Sequence, residues 1–511
     1  MTYTPSKTRM VKNTVFLYVR TLLLLVIGVF TSRITLQALG VNGYGTVNVV
    51  SGFVAMFAII SGSLTGACQR FLTYEMGAKN HEVREVFNAS FKIHIILAAV
   101  LVLIAETIGL YFIEYKLNIP VEDYAAVQWV YQCSVISMIL SLLNIPYNAI
   151  IISYERLNIF AYFSLIEGVL KLLVVFLLLY LGGNKLIIYS LLTLASAIIM
   201  RLIFQIYCRK QFREDVRFKI RTNSTLFKNI FGFAGWTFLG NTATICSNQG
   251  VNIVINLFCG VVVNAARGIA MMVESVVTSF VTNFTTALNP QITKSFASGN
   301  HSQIIELVQL GVRLTFFLML VISIPVIISS NELLHIWFTE VPDYAVIFVN
   351  LTLVIATIQA IGNPFLTLLL ATGNIRNYQI AAGILTISNL PLSYLLLHLG
   401  YSPICTYILN IIISVMTFIV RFYYLRRSTK IKTLRYFDTI ILRMILCGFT
   451  CVIGTLFLFK IMGPIDNVIK LTFFGLGSTL LSLVFWNYIG LNSTERHKVR
   501  AKILAKIHKY D

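Results

Sequence analysis

Long apolar stretches alternate with short polar ones about fourteen times along this 511-residue chain. The apolar stretches fall at approximately 14–39, 46–68, 87–113, 125–151, 158–181, 186–207, 229–258, 264–288, 304–330, 344–371, 377–398, 402–424, 437–462 and 468–490. Each reaches or passes the ~20 residues that a helix needs to cross the hydrocarbon of a bilayer. A helix is also the one open element whose backbone groups are all satisfied without water. The pattern predicts an all-α polytopic membrane protein of about 14 transmembrane helices.

The polar connections differ in charge. One alternating set carries 28 basic residues, concentrated in Arg209–Lys228, Arg421–Arg435 and Arg496–Lys509, whereas the opposite set carries Lys116, Lys185 and Lys470 alone. Basic loops are retained on the cytoplasmic side, which predicts two cytoplasmic termini. Charged residues make up 12% of the chain and apolar residues 57%, with a mean hydropathy of +0.81. A net charge of +20 in a soluble protein would suggest nucleic acid. Here no soluble domain exists to carry a groove, and the charge suits anionic headgroups instead. The stretch Thr14–Leu39 is too long for a cleavable leader and is interrupted by Arg20 and Arg33, so a retained first helix is expected. Cys447 and Cys451 lie four apart among apolar neighbours and read as packing, not as metal ligands or a disulfide. No cofactor is called for.

The chain repeats itself weakly. At a shift of 220 residues Gly40-Val41 falls on Gly260-Val261, Thr65 on Thr285, Thr73 on Thr293 and Asn80-His81 on Asn300-His301. At a shift of 218, Pro146-Tyr147 meets Pro364-Phe365. The expected organisation is a first six-helix lobe over 1–208, a basic linker over 209–228, a second six-helix lobe over 229–424, and two extra helices with a basic tail over 425–511. Both lobes begin on the same side, so they are parallel repeats, and transporters bind substrate at such repeat interfaces.

Several stretches carry a family resemblance. The first helix ends SRITLQALGVNGYG (Ser32–Gly45), NAARGIA (Asn264–Ala270) opens the eighth, LLHIWFTEVPDYA (Leu333–Ala345) precedes the tenth and LLATGNIRNY (Leu369–Tyr378) follows it. In this order and helical context the chain resembles the polysaccharide-export, Wzx-type branch of the multidrug/oligosaccharidyl-lipid/polysaccharide (MOP) flippase superfamily. The resemblance implies two six-helix lobes around a central cavity lined by helices one, two, seven and eight. It also implies an oligosaccharide on an undecaprenyl-pyrophosphate carrier as substrate.

Charged residues deep in a bilayer are costly and usually face a cavity. On helix seven Asn241, Asn248, Asn252 and Asn256 recur within about 100° of arc. Their amides suit sugar hydroxyls, or equally hydrogen bonds between helices. On helix eight Arg267 and Glu274 share a face with Thr278, Thr285 and Asn289. The Arg267 fork matches a pyrophosphate, and Glu274 is a candidate for ion coupling. Arg20 is placed to meet a pyrophosphate entering from the cytoplasmic leaflet, or to snorkel to headgroups. Arg33 belongs to the first-helix motif and is a further substrate-binding candidate, or a structural residue of that motif. Glu167 and Lys171 stand four apart on helix five, as a self-neutralising pair or a second coupling site. Glu106 and Arg313 show no assignable partner, and Lys92 and His94 read as snorkelling.

Enzymatic readings fare poorly. The chain lacks a G-x-x-x-x-G-K-[ST] loop, and its outer loops have no room for the catalytic domain of a glycan polymerase or ligase. A multidrug cation antiporter of the same superfamily is the nearer rival, but an acidic or aromatic cavity would suit it better than arginines and asparagines. The expectation is a flippase of the bacterial cytoplasmic membrane, moving lipid-linked oligosaccharide for O-antigen, capsule or exopolysaccharide synthesis. Membrane lipids, and a polymerase or glycosyltransferases of the same pathway, are its candidate partners.

Overall fold

The computed structural model describes all residues except 1–6, 56–57, 79–81, 112–123, 219–223, 339–340, 430–433, 464 and 491–511. Side chains at some further helical positions, including 7–13, Arg33 and 434–442, also lie outside the description.

Every regular element among the described residues is helical. Fourteen long helices follow in order: α1 (7–39), α2 (described over 41–55 and Ala58–Gly77), α3 (Val83–Ile104), α4 (Tyr124–Ser153), α5 (Leu157–Tyr180), α6 (Lys185–Gln211), α7 (224–259), α8 (261–297), α9 (His301–Ile328), α10 (Ala345–Ala371), α11 (Arg376–His398), α12 (Ile404–Ser428), α13 (Leu434–Met462) and α14 (Val468–Phe485). A short helix, Ser330–Trp337, precedes α10. The count matches the hydropathy pattern, and 11 of the helices are individually long and apolar enough to cross a membrane. Large apolar side chains such as Ile206, Leu257, Phe457 and Leu480 are more than 60% exposed. In water such a surface would aggregate; in a bilayer it faces acyl chains.

Helix ends differ from the sequence expectation at two places. The hydropathy pattern predicts loops at 40–45 and 259–263. Instead the helix resumes at once after Gly40 (φ 69°, ψ 174°) and after Gly260 (φ 81°, ψ −178°). A single glycine in a region closed to other residues breaks the helix at the smallest backbone cost. These two glycines were the first matched pair of the internal repeat.

The chain forms two compact units. The first comprises Met1–Thr242 with Asn289–Asn300, the second Ala243–Leu288 with His301–Asp511. Within the first unit α4 packs most extensively on α6, and α1 on α5; within the second α10 packs on α12, and α11 on α12. Pro146 in α4 and Pro364 in α10 are both buried inside their helices, as the 218-residue repeat anticipates. The core of the first unit gathers Val50, Val127, Tyr131 and Leu186; that of the second gathers Ile255, Ala266, Phe348 and Leu353.

Buried polar contacts tie particular ends together. Lys294 Nζ meets Glu155 Oε1 at 2.8 Å, both side chains under a tenth exposed, and Thr73 and Ser153 share a hydroxyl hydrogen bond of 2.8 Å. Gly77 lies against the Lys294 backbone so closely that a Cβ there would come within 2.4 Å of its carbonyl oxygen. Two expectations need correction. Glu106 has a partner, accepting from Gln132 Nε2 at 3.1 Å, and Arg313 is engaged too. His94 does not snorkel: it is 1% exposed, with Nδ1 2.7 Å from the Ser90 carbonyl, because its face of α3 turns inward.

Candidate functional site

The second unit encloses a cavity of about 290 Å³ between α7, α8, α10, α11 and α12. Asn248 comes from α7, Arg267 and Glu274 from α8, Gln359 and Asn363 from α10, and Asn410 and Arg421 from α12. The seven-residue spacing of Arg267 and Glu274 sets both on one face of α8, as the sequence implies.

Arg267 is 7% exposed. Its Nη2 donates to the Asn248 carbonyl at 3.3 Å, not to Glu274, and its guanidinium lies 5.6 Å from the centroid of Tyr407. Tyr407 is itself stacked on Phe348 with centroids 4.4 Å apart. The guanidinium is thereby held by a helix carbonyl and a ring, while its Nε is buried with no hydrogen-bond partner. A buried cationic donor without an acceptor is costly.

Arg421 is the member that sequence reasoning missed. It was counted among the basic loop residues, yet it lies within α12 and lines the cavity, with Nε donating to Tyr378 Oη at 3.0 Å. A Cβ at Gly362 would stand 2.1 Å from its Nη1, so the guanidinium occupies the notch that this glycine leaves. Two arginines against one glutamate make the cavity cationic, and four amide side chains supply paired donors and acceptors.

The asparagines of α7 part company. Asn248 lines the cavity, whereas Asn241 Nδ2 donates to Ser63 Oγ at 2.8 Å within the first unit. Asn252 is half-buried and Asn256 exposed, and neither lines this cavity. The threonines of α8 turn their hydroxyls to their own helix: Thr278 donates to the Glu274 carbonyl at 2.8 Å and Thr285 to the Thr282 carbonyl at 3.1 Å.

The first unit holds a second polar cavity of about 530 Å³, lined by Arg20, Ser137, Asn144, Asn148, Glu167 and Lys171 among others. Arg20 lies 4.7 Å from the centroid of Phe160, and its Nε, like Asn148 Oδ1, is buried and unpartnered. Glu167 and Lys171 form the expected i,i+4 pair at 2.8 Å, largely exposed. Arg20 and Arg267 thus line different cavities. The Arg33 side chain lies outside the described residues.

The model of the polysaccharide biosynthesis protein family matches residues 10–296, more than half of the chain, and that of the MatE family matches residues 237–395. No curated protein matches the chain in sequence. Among solved structures, an outward-facing multidrug resistance MATE transporter of the MOP superfamily is similar at 14% identity and a TM-score of 0.69, over 84% of this chain and 100% of that one. A Vibrio cholerae MATE transporter in its bent form is similar at 16% identity and a TM-score of 0.66, over 83% and 99%. A Pyrococcus furiosus MOP superfamily transporter is similar at 14% identity and a TM-score of 0.66, over 84% and 100%. For that protein a binding pocket of reverse polarity is described as suggesting a different function. Likeness at this identity establishes the fold.

Proposed function

The chain belongs to the polysaccharide biosynthesis protein family, within the MOP superfamily of transporters, and from that premise we propose that it flips a lipid-linked oligosaccharide from the inner to the outer leaflet of a bacterial cytoplasmic membrane. The observation that carries this reading is the second-unit cavity, with two arginines, one glutamate and a wall of amides. An anionic glycolipid needs that combination. Arginine forks grip the pyrophosphate oxygens bidentately, and carboxamides meet sugar hydroxyls as donor and acceptor at once. The polyprenyl tail has no cause to leave the bilayer, since lipid is as apolar as any cavity wall. Flipping breaks and makes no covalent bond, so the work is alternating exposure of the site.

Arg267 and Arg421 hold the phosphates, and Asn248, Gln359, Asn363 and Asn410 the proximal sugars. Glu274 is the candidate for coupling to an ion gradient, because a carboxylate beside two arginines can trade a bound cation for the anionic substrate. A pocket of reversed polarity on the same fold, as described for the Pyrococcus furiosus transporter, is in keeping with a cargo of opposite charge. The MatE match and the Glu274 carboxylate favour a second reading, export of organic cations.

Reconstituted vesicles separate the two. Glycolipid carrying a lectin-readable oligosaccharide is placed in the bilayer, and its appearance on the opposite leaflet is followed. The wild type should translocate it, and Arg267→Ala or Arg421→Ala should slow transfer about ten- to hundredfold, the effect of losing roughly 1.5–3 kcal/mol in a charged hydrogen bond. Arg267→Lys should recover only part, since a point charge lacks the fork. Glu274→Gln should abolish any response to an imposed proton or sodium gradient. Efflux of a cationic dye with no glycolipid movement would transfer the assignment to the antiporter reading.

A further inference from the structure

A third cavity, of about 790 Å³, lies at one end of the first unit between α3, α4 and α6 and the segment that follows α6. Four arginines line it (Arg201, Arg209, Arg213 and Arg217) against the single acid Glu214. None of the transport chemistry above uses it. A run of basic residues after a helix is ordinarily a solvated stretch whose charges spread apart. Here the segment is pinned so that they converge.

Ring stacking and hydrogen bonds do the pinning. Phe212 is buried and stacks on Tyr154 with ring centroids 4.5 Å apart, and Val216 is buried as well. Tyr154 Oη donates to Asp215 Oδ2 at 2.5 Å. Arg84 Nε and Asn88 Nδ2 of α3 donate to the Arg217 carbonyl at 3.2 and 3.1 Å, so the main chain of Arg217 is tied to α3 independently of its charge. On α6, Arg201 Nη1 donates to the Leu143 carbonyl at 3.0 Å and to Asn144 Oδ1 at 3.2 Å, with Tyr147 4.7 Å from its guanidinium. Gln205, with its amide oxygen assigned to the side facing Arg209, accepts from both terminal nitrogens of Arg209 at 3.1 Å.

Like charges gathered this way repel one another unless an anion sits among them. The remaining wall is apolar. Phe91 and Tyr147 pack edge to face at 5.8 Å, and Ile95 and Phe218 line the cavity while 43% and 55% exposed. Ile206, on α6 beside Gln205, is 64% exposed as well. A cationic recess opening onto an acyl-facing surface suits a headgroup whose chains stay in the bilayer.

We propose that this recess binds the phosphate of an anionic phospholipid, with the arginine forks on the phosphate oxygens and the acyl chains along the apolar side chains of α3 and α6. The site does not depend on which cargo the protein carries.

The test uses the full-length protein in detergent and native mass spectrometry with added phosphatidylglycerol, cardiolipin or phosphatidylethanolamine. The pocket variant is Arg213→Gln with Arg217→Gln. A control of equal charge change is Arg426→Gln with Arg427→Gln, two exposed residues at the end of α12. Phosphatidylglycerol and cardiolipin should bind the wild type and lose about tenfold or more in affinity in the pocket variant, against less than about twofold in the control, with the zwitterionic lipid indifferent to both. Should the double variant not accumulate, Arg213→Gln alone, at an exposed turn, should show the same ordering. Equal losses in pocket variant and control would reduce the effect to general surface charge and overturn the site. Displacement of bound lipid by inorganic phosphate or pyrophosphate at similar concentration would assign the recess to a soluble anion and overturn the lipid.

Discussion

Arg421 reaches the second-unit cavity because residue 362 has no side chain. From sequence, Arg421 is one of a cluster of basic residues at a helix end, indistinguishable from Arg426 and Arg427. Gly362 is one of many glycines in apolar helices. Neither signals the other, since they lie on different helices and only packing makes them neighbours. Arg267 was legible, because a lone arginine one heptad from a glutamate inside an apolar helix has few structural uses. The residue-scale prediction is that Gly362→Ala mimics loss of Arg421 without touching it. A methyl group would push the guanidinium from its notch, so glycolipid transfer should fall in Gly362→Ala roughly as far as in Arg421→Ala, by about tenfold for one charged hydrogen bond. Combining the two should add little, because both remove the same interaction. Full additivity in a double-mutant cycle would mean that Gly362 acts elsewhere.

Among the helices, the breaks at Gly40 and Gly260 stand out. Each glycine sits at positive φ with extended ψ, and at each the space where a Cβ would stand is empty to 4 Å. Any penalty for alanine is therefore a backbone penalty and not a clash. Gly40→Ala and Gly260→Ala should each destabilise the protein by roughly 1–3 kcal/mol, seen as a lower thermal midpoint in detergent. A D-alanine introduced at Gly260 by semisynthesis should restore stability, because positive φ is unstrained for that enantiomer. Equal destabilisation by both enantiomers would point to side-chain crowding instead. Hydropathy located the four helices flanking these glycines but overestimated the gaps between them. A one-residue break is invisible to a pattern that looks for polar loops.

For the whole molecule, orientation is the testable property. The basic bias of alternate connections predicts that Ser224 and Ser428 face the cytoplasm and Ser402 the exterior. Single cysteines at these positions, in a variant without the eight native cysteines, should react with an impermeant thiol reagent from outside only at Ser402. On the exterior connection before α6 Gly182 is a suitable position. Asn184, two residues on, caps α6 by accepting from the Leu186 and Ile187 amides at 3.0 and 3.4 Å, so its side chain is needed there. Labelling of Ser224 from outside would invert the topology and place the arginine recess beyond α6 at the opposite surface.

Much of this protein was written locally. Segment length and apolarity determined fourteen helices, because in hydrocarbon a helix is the one open structure with every backbone group satisfied. Charge placement predicts orientation, and the 220-residue register pairs Gly40 with Gly260, the two glycines that share the helix-breaking backbone angles. The family was legible in short motifs held in a fixed order. Tertiary structure decided which polar residues meet. It put Asn248, Arg267, Glu274 and Arg421 around one cavity while turning Asn241 to Ser63 and His94 into the core. It also bound Lys294 to Glu155 and gathered Arg213 and Arg217 with Arg201 and Arg209 of α6 around one recess. Periodicity tells which residues share a helix face. It does not tell which faces meet, because between helices in a membrane that choice rests on close packing and hydrogen bonding across hundreds of residues of chain.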